Sequence, residues 1–153
     1  MSIESKLAEM NLTLPPPSPK GGVYQSMLVV GDQALFSGHV PVLPDGSMLT
    51  GRVGEEVDLE TAQTAARQVG LCILATAKAT LGSLDRIKRV VKLLGMVNCT
   101  SDFGQHPQVI NGCSELFRDL WGEDLGVGVR SAVGMGSLPS NVTVEIEGAF
   151  QVE

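Results

Sequence analysis

The sequence predicts one α+β domain, a mixed β-sheet with two helices on one face, in the order β-β-α-β-α-β-β. Three observations lead there. The chain has 153 residues, which suits a single hydrophobic core rather than two domains. Two segments repeat apolar residues at spacings of three and four, the period of an amphipathic helix. About five shorter segments are β-branched, apolar and bounded by glycine, proline or asparagine turns.

Residues 1–14 carry Ile3, Leu7 and Met10 at helical spacing and predict a short amphipathic turn. The run Pro15-Pro16-Pro17-Ser18-Pro19 forbids helix and reads as an extended lead-in. Residues 1–20 are therefore taken as an N-terminal extension, and 21–153 as the domain. Residues 24–30 form the first expected strand. Gly31-Asp32-Gln33 turns the chain, and residues 34–40 make the hairpin partner. Pro44-Asp45-Gly46 is a second turn, in which proline sets φ and glycine accepts positive φ. Asp58 is an N-cap with Glu60 in the first turn, and Leu59, Ala62, Ala66, Val69 and Ile73 form the stripe of a helix ending near Leu81-Gly82. Residues 88–99 are a strand. A second helix opens between Ser101 and Pro107, with Val109, Ile110, Cys113, Leu116, Phe117 and Leu120 as its apolar side, and residues 122–128 are a loop. Residues 129–135 and 142–152 are the last strands, expected to pair as a hairpin.

Strand alternation then bears on assembly. Within 90–97, Val90, Lys92, Leu94 and Met96 share one face, while Val91, Leu93, Gly95 and Val97 share the other. Both faces are mainly apolar, and two helices cover only one side of a sheet. The cheapest cover for the other side is a second copy of the chain.

Composition excludes several classes. Seventeen acidic against eleven basic side chains give a formal charge of −6, and aromatics are only 4% against 43% hydrophobic residues. A nucleic-acid surface calls for a basic face and stacking platforms, and neither is present in quantity. The N-terminus has no uninterrupted apolar run, and the longest apolar stretch, 69–77, is far short of a bilayer span. Cys72, Cys99 and Cys113 show no pairing pattern and read as buried free thiols of a cytoplasmic protein. His39 and His106 lie far apart, and no His/Cys/Asp cluster has metal-ligand spacing. The glycines at 126–128 and 134–136 lead into strand and turn, whereas a phosphate loop must open a helix.

Chemistry concentrates at the end of the chain. Val142, Val144 and Ile146 fall on one strand face, and Thr143, Glu145 and Glu147 on the other. Arg130 is expected in the neighbouring strand. Its planar guanidinium suits bidentate recognition of a carboxylate. That carboxylate is either Glu145 or Glu147, making a structural ion pair, or belongs to a ligand.

Several segments together resemble the Rid (YjgF-like) family of reactive-intermediate deaminases, also labelled endoribonuclease L-PSP. They are Gly22-Val23-Tyr24, Leu35-Phe36-Ser37-Gly38-His39-Val40-Pro41, Asn111 with Glu115-Leu116-Phe117, and Arg130-Ser131 followed by Leu138-Pro139 and Val144-Glu145-Ile146-Glu147. The likeness runs from about residue 20 to 153. It implies a chorismate-mutase-like α+β fold, a homotrimer with clefts between subunits, and no metal or organic cofactor. It also implies hydrolysis of 2-imino or 2-enamino acids from amino-acid metabolism to 2-oxo acids and ammonia. Arg130 would bind the substrate carboxylate and Glu145 would position the attacking water, with Tyr24, Ser37 and Asn111 as further cleft residues. The chain departs from the family pattern at Val23, Gly128, Val129 and Ala132, where proline, proline, alanine and cysteine are usual, and in a longer 43–56 loop. A non-catalytic metabolite-binding or regulatory trimer is the alternative, and a ribonuclease the third reading.

Overall fold

Three helices and five strands run through the chain, all of whose residues, 1–153, the computed structural model describes. In order they are α1 (Ile3–Glu9), β1 (Met27–Val30), β2 (Gln33–His39), α2 (Leu59–Leu81), β3 (Ile87–Asn98), α3 (His106–Gly126), β4 (Val129–Met135) and β5 (Val144–Val152). The sheet order is β1-β2-β5-β3-β4, with every neighbour antiparallel except the parallel pair β3–β4. The two long helices pack together on one face, the mixed α+β arrangement the sequence predicts.

Local chemistry accounts for the elements. Asp58 starts α2 by accepting from Thr61 N at 2.8 Å, and Gly82 ends it at φ 85°. The stripe Ala62, Ala65, Ala66, Val69, Cys72 and Ile73 is buried against the sheet and α3. The few aromatics are concentrated where they fill most: Phe150 of β5 stacks at 4.8 Å on Phe36, 5.6 Å on Phe117 and 6.2 Å on Trp121. Truncating such a hub to alanine costs about 3–5 kcal/mol. At the N-terminus a full helix replaces the expected short turn. Ile3 and Leu7 of α1 enter the core, Ile3 N donates to Asp85 Oδ1 at 2.8 Å, and Lys6 Nζ donates to the Leu120 carbonyl at 2.8 Å.

Three local expectations need correction. Residues 24–26 are not strand; pairing begins at Met27. The expected loop 122–128 is largely helical, because α3 resumes after a single break at Gly122 (φ 81°, ψ 174°) and runs to Gly126. The last two strands do not form a hairpin. β4 pairs with β3 in parallel, and β3 separates it from β5. The helix-side residues of β3 are Val90, Leu93, Gly95 and Val97, because a bulge between Val90 and Lys92 shifts the alternation by one. The opposite face keeps Lys92, Leu94 and Met96, with exposed Leu28, Leu35 and Val133 on the flanking strands. No helix covers that face.

Candidate functional site

Arg130 stands on β4 level with Leu93, so its side chain points to the helix side of the sheet. There α3 meets it. Arg130 Nη1 donates to Asn111 Oδ1 at 2.8 Å and to Ser114 Oγ at 3.0 Å, and Nη2 donates to the Pro107 carbonyl at 3.3 Å. Asn111 and Ser114 lie three residues apart and so share one helix face. All three acceptors are neutral. No carboxylate lies within 4.0 Å of the guanidinium, as the ion pairs of the chain are Arg52–Glu55, Lys88–Glu153 and Arg118–Asp119. The result is a half-buried cation, aimed by fixed dipoles and not neutralised, beside a hollow of about 410 Å³ that Glu115, Glu123 and Gly128 also line. Such a group can bind an anion without first breaking a salt bridge.

Glu145 occupies the other face. It stands level with Met96, as Glu147 does with Leu94, while Val144 and Ile146 are buried beneath the helices. The carboxylate lies over the α-carbon of Gly38. A β-carbon at that position would sit 3.1 Å from Glu145 Cγ and 2.9 Å from Cδ, so a side chain there would displace the carboxylate. Burial, and secondarily the charge of Glu147, raises the Glu145 pKa above the usual carboxylate value. A carboxylate shifted this way is a better base near neutrality than an exposed one.

A cavity of about 660 Å³ opens beside Glu145, and Tyr24, Ser37, Gly38 and His39 line it. Three of its polar side chains are already held. Ser37 Oγ donates to the Gln25 carbonyl at 2.6 Å, and Tyr24 Oη accepts from Gly21 N at 3.0 Å. His39 is buried, with Nδ1 2.7 Å from the Ser37 carbonyl and Nε2 2.8 Å from Thr76 Oγ1. A carbonyl only accepts, so Nδ1 carries the proton and Nε2 accepts from the threonine hydroxyl. Burial lowers the His39 pKa, which keeps the ring neutral.

The five residues singled out in the sequence thus divide into two groups. Asn111 joins Arg130 on the helix side; Tyr24 and Ser37 join Glu145 on the open side. The intrachain ion pair between Arg130 and Glu145 or Glu147 is absent, because Arg130 shares its parity with Leu93 and the glutamates share theirs with Leu94 and Met96. One small molecule cannot touch both groups within one copy of the chain. Sequence reasoning missed Ser114, Gly38 and Thr76. Only Ser114 left a signal, its i+3 spacing from Asn111; the other two are visible only once β2, β5 and α2 are assembled.

A mixed five-stranded sheet backed by two long helices, with an aimed arginine on one face and a half-buried glutamate on the other, defines a small α+β protein. The family profile described as "YjgF/chorismate_mutase-like, putative endoribonuclease" matches residues 4–143, and the chain belongs to this YjgF/Rid family. Protein TCP17 of Trypanosoma cruzi is 33% identical over 150 residues, covering 98% of this chain and 94% of the relative. Among solved structures, Atu1372 from Agrobacterium tumefaciens, described as of unknown function, superposes with a TM-score of 0.90 at 38% identity, covering 99% of this chain and 94% of that one. RidA from an Antarctic Psychrobacter superposes with a TM-score of 0.61 at 28% identity, covering 90% and 94%.

Proposed function

We propose that this protein hydrolyses reactive 2-imino and 2-enamino acids to 2-oxo acids and ammonia, at clefts where one copy's Arg130 group meets another copy's Glu145 group in a homotrimer. The observation that carries the reading is Arg130 itself, oriented by Asn111, Ser114 and the Pro107 carbonyl yet paired with no carboxylate. An arginine held that way is prepared for a ligand carboxylate. Three free, buried cysteines and the absence of a helix long and apolar enough to cross a membrane are compatible with action in the cytoplasm.

The chemistry follows from the two groups. Arg130 fixes the substrate carboxylate, which sets the position of the adjacent C=N carbon. An enamine first takes a proton on carbon to become the imine. Glu145 accepts a proton from water as the water oxygen bonds to the imine carbon, and the C=N electron pair moves onto nitrogen. The tetrahedral carbinolamine then loses ammonia. Protonation of nitrogen and release of the hydroxyl proton as C=O forms leave the carboxylate base restored. Tyr24, Ser37 and Asn111 bind or shape, and exchange no proton with the substrate.

The test generates 2-iminopropanoate with an amino-acid oxidase and follows pyruvate and ammonia release. Arg130→Ala is expected to lose most of the rate acceleration, and Glu145→Gln likewise. Equal rates for wild type and Arg130→Ala would overturn the assignment. Light scattering is expected to give three times the chain mass; a monomer at assay concentration would leave the two groups on opposite faces and end the proposal. Ala132, half-buried on β4 next to Arg130's strand position, favours one second reading, a metabolite-binding trimer without turnover. Under that reading 2-oxo acids raise the melting temperature while imines are hydrolysed no faster than in buffer.

A further inference from the structure

The cavity beside Glu145 is far larger than the carboxylate alone requires, and its lining is partly polar and partly apolar. Its only charged lining residue is Glu145, since His39 is held neutral between Ser37 and Thr76. Val40, Val42 and Met48 supply an apolar part of its lining, together with Pro139 and Pro19, while Ser18 and Ser26 add two hydroxyls. A ligand carboxylate finds no cation there.

That wall is preformed. Val42 and Met48 pair across a small hairpin closed at Asp45-Gly46, where Leu43 N donates to the Ser47 carbonyl at 2.7 Å and Asp45 Oδ1 accepts from Ser47 N at 2.9 Å. The Val42 carbonyl accepts from Gln68 Nε2 at 2.7 Å and from Cys72 Sγ at 3.4 Å, which ties the hairpin to α2. Met48, 37% exposed and outside the hydrophobic core cluster, lines the cavity from this hairpin. A rigid apolar recess ending at an otherwise free methionine binds apolar surface with little ordering cost.

From this the geometry points to a substrate preference: the recess takes the side chain of the imino acid, selecting branched or longer apolar side chains over methyl, with Met48 as the specificity-determining residue. The inference rests on the deaminase reading for the polar end of the substrate. With the imine carbon beside Glu145 and the carboxylate directed toward a neighbouring copy's Arg130, the side chain has the 660 Å³ recess before it. A methyl group would leave most of that space to water, whereas each added methylene that enters an apolar pocket is worth roughly tenfold or more in kcat/KM.

The experiment compares imines generated from alanine, leucine and phenylalanine by one oxidase, with wild type, Met48→Trp and the milder Met48→Phe. Wild type is expected to favour the leucine-derived imine over the alanine-derived one by at least about tenfold. Met48→Trp fills the recess and inverts that ratio, and Met48→Phe reduces it. In parallel, thermal shifts are measured with 4-methyl-2-oxopentanoate and pyruvate, the larger expected from the former in wild type and lost in Met48→Trp. Turnover without a preference for the larger side chain, or a ratio unmoved by both substitutions, overturns the inference and leaves the deaminase reading intact. No turnover, but a selective shift with the larger oxo acid, supports the recess and overturns the deaminase reading. Neither turnover nor a shift overturns both.

Discussion

Gly38→Ala separates geometry from stability at this site more sharply than any catalytic deletion. The substitution adds one carbon, which would stand 3.1 Å from Glu145 Cγ, 2.9 Å from Cδ and closer still to Oε2, against ordinary contacts of 3.4–4 Å. Relief comes from Glu145, whose carboxylate is the mobile end of a half-buried side chain, and requires a displacement of about 1 Å or more. Gly38 does not have a positive φ, so alanine is not strained by the backbone. The folded state should therefore lose on the order of 1 kcal/mol or less, or gain slightly from the stiffer unfolded chain. Catalysis should suffer more. A misplacement near 1 Å costs roughly 100-fold in rate, equivalent to about 2.7 kcal/mol. The assay is kcat/KM on an imine generated in situ, with urea denaturation on the same samples. A 100-fold loss of rate with an unchanged denaturation midpoint is the expected result. Wild-type turnover in Gly38→Ala would show that the position of Glu145 over β2 is irrelevant to the reaction.

Further outcomes follow from the same contacts. Arg130→Lys keeps the charge but loses the fork held by Asn111 and Ser114, and kcat/KM should fall on the order of 100-fold, mostly through KM. Because burial and then the Glu147 charge raise the Glu145 pKa, the native protein holds that proton more readily than the unfolded chain. Stability therefore falls as pH rises through the interval between the ordinary and the raised value, and the acid limb of the activity profile lies above 4.5. Glu147→Gln should move both to lower pH; a stationary limb would exclude Glu145 as the base. For buried His39 the sign is opposite: its pKa is lowered, so stability is lost as pH drops below 6.5. Thr76→Val leaves Nε2 without its donor and should cost about 1–3 kcal/mol in urea denaturation at constant slope.

The two long helices and the existence of the five strands were legible because their causes are local. Asp58, the alanine-rich stripe and Gly82 determine α2 within a few turns of chain, and both ends lie where the sequence places them. Pairing partners were not, because pairing is a long-range choice. The segment 136–143 is short enough for a hairpin, yet β4 joins β3 in parallel while β5 enters between β2 and β3. Parity then decided the site. Arg130 and Glu145 were both recognisable as chemistry-bearing residues, but which face each takes depends on a register that no single strand encodes. Gly122 misled for a related reason: its φ of 81° does break the helix, but α3 resumes on the far side, held by packing that a glycine signal cannot report.

Placing the arginine and the glutamate on opposite faces has an energetic consequence of its own. Side by side in one chain they would form an ion pair, and a ligand carboxylate would have to displace Glu145 before reaching Arg130. Kept apart, each remains unpaired: Arg130 directed by neutral oxygens, and Glu145 crowded by Glu147 and short of solvent. On the proposed deaminase reading, a ligand with a carboxylate at one end and a cationic imine beside it would supply both missing partners at once. Such a ligand brings the anion that Arg130 lacks and the cation that Glu145 lacks. A 2-oxo acid or a plain amine supplies only one. Under that proposal the discrimination would come from the sheet, which denies the two side chains each other, and would require a second copy to close the gap. Turnover per chain should therefore drop on dilution below the assembly threshold, whereas activity complete within one chain would not depend on concentration.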